Sequence, residues 1–296
     1  MNIALSPISF HQKLFTKHMS QADVPAAALE LGFEAVEFLD LLAVPLPAGR
    51  WTALARRVWQ SLQRRIPMLP RNPLPARPKS YQSDIAYPLR AAADAAGIRI
   101  ISWTVDTDLT AQGEALTEQR AYWLRGIAAA RILGAKVLRV TTGGQDGDAN
   151  MLPTATENLR ELVALAEGLQ VAVENNWGLS SNPNLLTALL EAVPGAGCCL
   201  DFGNFDSRIR NEAVLALIPH AVHIHAKSKT FDANGEERTL PYKRFMHALS
   251  EVKYEGWFVI EYEGYDDPVV GIEQTRALLT RYGARKGTSM RQNAKT

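Results

Sequence analysis

The sequence predicts an α/β protein of the (β/α)8 barrel class. Eight short apolar runs of strand character alternate with alanine- and leucine-rich segments of helical periodicity, and the last four runs each end on a metal-ligand side chain. Those four are Val-Ala-Val-Glu174, Cys-Cys-Leu-Asp201, Val-His-Ile-His225 and Phe-Val-Ile-Glu261. Ionisable groups are disfavoured inside apolar strands, so one at the same end of every run implies a common meeting point, a divalent-metal site.

Taken in order, the strand candidates fall near residues 2–5, 34–38, 98–103, 136–141, 170–174, 197–201, 221–225 and 256–261. Helical periodicity occupies segments such as 24–31, 84–96, 117–133, 156–169, 183–193 and 271–282. Gly32, Gly97, Gly134, Gly168 and Gly256 stand just before strands, where a left-handed residue closes the preceding helix. Eight such units in roughly 250 residues match a closed barrel. The alternative, a doubly wound open sheet, lacks support because no strand is followed by Gly-x-Gly-x-x-Gly.

Two stretches break the alternation. Residues 41–83 form an insertion with a basic amphipathic segment at 51–65, then Pro67, Pro70, Pro73, Pro75 and Pro78, a run that cannot be helical. It follows the second strand, so a lid or an oligomer contact at the barrel mouth stands against an ordinary surface excursion. Residues 285–296 are basic and poor in large apolar side chains, as expected of a frayed tail. The domain reading is therefore one barrel over 1–284 with a basic tail after it.

Composition limits the function classes. The 296 residues are 47% hydrophobic and 21% charged, and a net charge of +1 gives no overall attraction for nucleic acid or anionic lipid. No apolar run approaches 18 residues, and the start lacks the basic and apolar regions of a secretory signal. Cys198 and Cys199 are strand neighbours pointing to opposite faces, which reads as reduced packing residues in a cytoplasmic protein. A small-molecule substrate is expected, with neither nucleic acid nor membrane as partner; a homo-oligomer is compatible with the sequence.

Strand parity tests the metal site. Ala172 with Glu174, Cys199 with Asp201, His223 with His225 and Val259 with Glu261 share faces, while branched apolar residues take the other. All four candidates then point inward at the C-terminal ends of their strands, where barrel enzymes place their chemistry. His223, one step deeper, reads as a hydrogen-bonded support for His225, whereas His11, His18, His220 and His247 fall at solvated positions. Tandem Gly143-Gly144 is a turn by preference over an anion cradle.

Val-Glu174-Asn-Asn, Leu-Asp201-Phe-Gly-Asn204, His223-Ile-His225-Ala-Lys227 and Val-Ile-Glu261-Tyr-Glu263 resemble the successive motifs of the xylose-isomerase-like barrels, a superfamily of sugar and sugar-phosphate isomerases and epimerases, inosose dehydratases, hydroxypyruvate isomerases and endonuclease IV repair enzymes. The resemblance extends from Asn2-Ile-Ala-Leu-Ser through Gly32-Phe-Glu-Ala-Val-Glu37 and Leu133-Gly-Ala-Lys-Val-Leu-Arg139 to Glu261. It implies a single divalent cation held by Glu174, Asp201, His225 and Glu261, with Glu174 and Glu261 also exchanging a proton on opposite faces of a carbon next to a carbonyl, through an enediolate. Three oxygen donors and one nitrogen suit Mn²⁺, Mg²⁺ or Co²⁺, with Zn²⁺ also open.

Around the quartet, Asn204, Lys227, Arg139, Trp103, Trp177 and Glu263 are candidates to contact substrate: Lys227 for an oxyanion or phosphate, Arg139 to orient Glu174 or reach substrate, the tryptophans to stack on a sugar face. Asn204 stands where many epimerases of the superfamily have histidine, and Lys227 and Lys229 stand where the free ketohexose epimerases carry an acid and an arginine. The leading expectation is a sugar or sugar-phosphate isomerase or epimerase. A lyase or dehydratase of a keto-polyol or 3-keto-glycoside is the alternative, since the same enolate can expel a β-substituent. The endonuclease branch needs more strand-end histidines than the six in this chain provide, and a non-enzymatic carbohydrate-binding barrel completes the set.

Overall fold

A computed structural model describes residues 2–43 and 82–283, so residues 44–81 of the 41–83 insertion and the whole 285–296 tail lie outside the described residues. Eight strands, β1 (Asn2–Leu5), β2 (Ala35–Leu39), β3 (Arg99–Val105), β4 (Val137–Val140), β5 (Gln170–Glu174), β6 (Ala196–Asp201), β7 (Ala221–Ser228) and β8 (Trp257–Tyr262), close into a barrel in sequence order. Every neighbouring pair is parallel, including β8 with β1.

The helices that follow the strands in turn are α1 (Val24–Glu30), α2 (Ala86–Ala96), α3 (Gly113–Leu133), α4 (Leu152–Leu165), α5 (Pro183–Ala192), α6 (Arg210–Leu217), α7 (Tyr242–Glu251) and α8 (Pro268–Arg281). The first seven each cross the outside of the barrel to start the next parallel strand, the arrangement a parallel sheet requires, and α8 follows the last strand. Gly32, Gly97, Gly134 and Gly168 have φ of +66° to +83° after α1, α2, α3 and α4. Gly256 does not: Lys253, at φ +53°, takes the left-handed position after α7. Gly256 is glycine for clearance, since a Cβ there would lie 2.3 Å from the Tyr254 hydroxyl.

The main core lies between barrel and helices. Outward residues such as Leu5, Phe38, Leu138, Val173, Leu200 and Ile260 join helix residues including Leu89, Trp123, Leu159 and Leu278 in one buried cluster. Burying each large apolar side chain is worth about 1.5–3 kcal/mol. Inside the barrel, two small clusters fill the lower space: Ala4, Ala35, Ile101 and Val259, and Val137, Ala172 and Cys199. The upper interior is left to polar groups.

Two register shifts set what those polar groups meet. Between Cys198 and Cys199 the pairing to β7 skips a residue, so Asp201 stands beside His225 rather than beside the outward-facing Ile224. Between Val36 and Glu37 a similar shift brings Glu37 beside Ser102. Irregularities of this kind re-aim side chains at the rims of barrels.

Candidate metal centre

The quartet predicted from the strand ends comes together. Glu174 and Asp201 are the last residues of β5 and β6, Glu261 is the penultimate residue of β8, and His225 sits within β7, which runs three residues further. All four are at most 5% exposed. His225 Nδ1 lies 2.9 Å from Glu174 Oε1, 3.5 Å from Glu261 Oε1 and 4.0 Å from Asp201 Oδ2. Glu174, Asp201 and His225 each offer a ligand atom within 4.8 Å of the others.

Local hydrogen bonds fix these side chains. Asn175 accepts from the Asp201 amide at 2.6 Å and donates to its carbonyl at 2.9 Å, clamping the end of β5 to that of β6. The Gly203 amide holds Asp201 Oδ1 at 2.6 Å, leaving Oδ2 buried against the Lys227 ammonium at 3.0 Å. Ser6 donates to Glu261 at 3.3 Å, and Asn176 to Glu174 at 2.8 Å. Arg139, on β4, pairs with Glu174 and with Asp106, the latter at 3.1 Å.

Lys227, two residues beyond His225 on the same face, lies 2.8 Å from Asn204 Oδ1 and 3.0 Å from both Asp201 Oδ2 and Glu263 Oε1. It is 3.5 Å from Glu261. Its stem passes over Gly203, where a Cβ would meet Lys227 Cδ at 2.7 Å. Gly203 does not have a positive φ, so close approach is its reason for being glycine.

The electrostatics divide the two glutamates. Burial raises both carboxyls, but at Glu174 the Arg139 guanidinium, His225 and Lys227 together outweigh it and carry that group down to about 2. Glu261 has no guanidinium against it, and burial leaves it pushed up to about 7 despite His225 and Lys227, each at 3.5 Å. Asp201 is also raised, by burial against the pull of Lys227. Four buried carboxylates, Glu37, Glu174, Asp201 and Glu261, face two buried cations, Arg139 and Lys227, and the His225 imidazole, whose affinity for a proton its anionic neighbours raise against burial. A buried excess of negative charge is costly unless a cation or protons join it. The donor set and this charge balance fit a divalent cation.

Around the quartet, Trp177 is 39% exposed beyond β5, and Glu263 is partly exposed and pairs with Lys227 and Lys229. Trp103 is not a rim residue. It is fully buried on the outer face of β3, in the cluster that holds α2 and α3, while its neighbours Ser102 and Thr104 take the inward parity. β3 continues to Val105, so Trp103 is two residues short of the mouth. Gly143 and Gly144 form a left-handed turn: a Cβ on Gly143 would strike Asp108, and the Gly143 carbonyl accepts from the Leu179 amide at 3.1 Å. The following loop docks through Gly178, whose amide donates to Asp146 at 2.7 Å and whose carbonyl accepts from Gly147 at 3.0 Å.

One residue escaped the sequence reading as a site member. Glu37, fully buried in the middle of Ala-Val-Glu-Phe-Leu, lies 3.3 Å from His225 Nε2 and 3.5 Å from His223 Nε2, and accepts from Ser102 Oγ at 2.9 Å. The available signal was a carboxylate interrupting an apolar run.

An eight-stranded parallel barrel with a buried carboxylate and histidine cluster at its C-terminal mouth places the chain among the (β/α)8 barrels, with side chains that could hold a metal ion. The chain belongs to the family described as Xylose isomerase-like TIM barrel, which it matches over residues 25–282. Solved structures share the fold at low identity. The probable 3-DHS dehydratase AsbF of Bacillus anthracis has a TM-score of 0.61 at 16% identity, covering 95% of this chain and 100% of that one. D-psicose 3-epimerase in the presence of D-fructose has 0.61 at 12% identity, covering 95% and 98%. The IOLI protein with a binding zinc atom has 0.63 at 12% identity, also covering 95% and 98%. Among curated proteins, the 3'-dehydrocarminate deglycosidase alpha subunit of Microbacterium sp is 32% identical over 77 residues, which cover 24% of this chain and 22% of that protein. No helix among the described residues is long and apolar enough to cross a membrane.

Proposed function

We propose that this protein is a divalent-metal-dependent enzyme that moves a proton at a carbon next to the carbonyl of a sugar or sugar phosphate, as an isomerase or epimerase. The observation that carries the reading is the convergence of Glu174 and Glu261 on one point, at 2.9 and 3.5 Å from His225 Nδ1, with their proton affinities driven apart. Glu174, Asp201, His225 and Glu261 would hold the cation, and the oxygen-rich set favours Mn²⁺, Mg²⁺ or Co²⁺, with Zn²⁺ open in view of the zinc in the IOLI structure. When bound, the cation supplies Lewis-acid polarisation of the carbonyl and its neighbouring hydroxyl.

The chain's own groups do the rest. Glu261, near neutrality, is suited to give and take a proton, and Glu174, kept ionised by Arg139, to accept one across the substrate. Lys227 and Asn204 present a donor and an amide where substrate oxygens would enter, Glu263 holds the lysine from above, and Trp177 offers a sugar-facing ring at the rim. Arg139 orients Glu174 instead of meeting substrate, since its contacts are with Glu174 and Asp106.

A second reading is elimination from a keto-polyol or 3-keto-glycoside. It is favoured by the curated relative, a deglycosidase subunit, and by the fold neighbour AsbF, a probable dehydratase. Proton removal would be the same and departure of a β-substituent would follow. The test is a panel of ketoses, ketose phosphates, inososes and keto-glycosides incubated with Mn²⁺ in D₂O. Deuterium at the carbon next to the carbonyl, lost in Glu174→Gln, is the expected result; release of water or aglycone selects elimination. No exchange and no release with any member would sink both readings.

A further inference from the structure

Glu37 is fully buried and meets His225 at the ring nitrogen opposite the one beside Glu174, with a carboxylate oxygen also within 4.8 Å of a Glu261 oxygen. The two ring nitrogens of His225 face different surroundings. Nδ1 faces Glu174, Glu261 and Asp201, whereas Nε2 faces Glu37 Oε2 at 3.3 Å. A metal-binding imidazole must be neutral, with its one proton on the nitrogen away from the cation.

Glu37 is itself held. Ser102 donates to Oε2 at 2.9 Å, and His223 Nε2 stands 3.5 Å away. His223 Nδ1 is buried with no hydrogen-bond partner, which puts that ring's proton on Nε2, toward the same carboxylate. The register shift in β2 is what sets Glu37 beside Ser102.

We infer that Glu37 is a positioning residue: it accepts the Nε2 proton of His225 and thereby turns Nδ1, unprotonated, toward the point shared by Glu174, Asp201 and Glu261. Ser102 and His223 keep its Oε2 in place for that contact. The inference rests on the metal centre proposed above and adds a residue from β2, outside the four motif strands.

The experiment is calorimetric titration of Mn²⁺ into the chelator-stripped full-length protein, with thermal midpoints recorded for the stripped forms. Wild type is expected to bind one equivalent, and Glu37→Gln to bind it on the order of 10- to 100-fold more weakly with its midpoint kept within a few degrees. In wild-type protein loaded with diamagnetic Zn²⁺, ¹⁵N NMR of histidine is expected to show the His225 proton on Nε2, with faster exchange in Ser102→Ala. Unchanged affinity in Glu37→Gln overturns the inference, as does a proton on Nδ1. Two equivalents in wild type, one of them lost in Glu37→Gln, overturns it by making Glu37 a ligand. Should the variant fail to fold, the wild-type spectrum decides alone. Absence of binding by wild type to any of Mn²⁺, Mg²⁺, Co²⁺ and Zn²⁺ overturns the proposed centre and this role together, whereas binding that ignores Glu37 overturns the role only.

Discussion

Gly178→Ala isolates how the mouth loops are joined, with Gly97→Ala as its control. Both glycines are left-handed, at φ +76° and +66°, so both substitutions meet the cost of an L-residue in that region, about 1–2 kcal/mol. They differ in what the new methyl touches. At Gly97 nothing lies within 4 Å, while at Gly178 a Cβ would stand 1.9 Å from the Gly143 carbonyl oxygen, where real Cβ contacts essentially never fall under 3.0 Å. The two loops must part by more than 1 Å. That strains the bonds from Leu179 to Gly143 and from Gly147 to Gly178, each worth about 1 kcal/mol. Gly178→Ala is therefore expected to destabilise by about 3–4 kcal/mol and Gly97→Ala by about 1–2 kcal/mol. Equilibrium urea unfolding followed by far-UV circular dichroism measures both. A difference between the variants below about 0.5 kcal/mol would refute the argument that backbone contact, and not φ alone, demands the glycine.

Three further outcomes follow from the same structure. Trp103→Ala is expected to cost about 3–5 kcal/mol in unfolding, against under about 0.5 kcal/mol for Trp177→Ala, which instead raises KM for an accepted sugar; the reverse pattern would contradict the placement of the two rings. Burial pushes the Cys198 thiol well above its usual range and Cys199 up to about 12, so iodoacetamide near about pH 8 should label neither in the native protein and both in urea, read by mass spectrometry. Asp23 accepts from the Ser20 amide at 2.8 Å and from its hydroxyl at 2.7 Å, which lowers its carboxyl below the ordinary value. That contribution is present above the unfolded pKa near about 4 and lost as pH falls through the lower folded value. Asp23→Asn should thus lower the melting temperature at neutral pH by an amount worth under about 1 kcal/mol, and the gap should close in acid; a gap that persists would assign it to something other than ionisation.

The strands and the clustering of the four strand-end side chains were legible because both are carried by local pattern: period-two alternation sets parity, and parity plus a polar strand end sets which side chains meet inside the barrel. Trp103 was misplaced because the run ending at Trp103 looked complete, while Thr104 and Val105 extend the strand and move the mouth beyond it. Glu37 is not legible from strand ends, because a mid-strand acid gains its meaning only from β3 and β7, which no spacing within β2 reveals. Gly256 was assigned to a helix end that Lys253 closes, since the preference for glycine at left-handed positions is strong but not exclusive. The pairing of Lys227 with Asp201 and Glu263 needed the strand stagger that only the closed barrel supplies.

Gly203 ties two of the motifs into one moving part. Its missing side chain is the slot through which the Lys227 stem reaches Asp201, so the glycine of Asp-Phe-Gly-Asn and the lysine two residues after the histidine are sterically coupled. A side chain at 203 would evict the ammonium without altering any residue that touches it, and a shorter residue at 227 would release 203 to vary. Variation at this unassuming turn therefore reports on whether a chain of this kind keeps a lysine poised over its acidic centre.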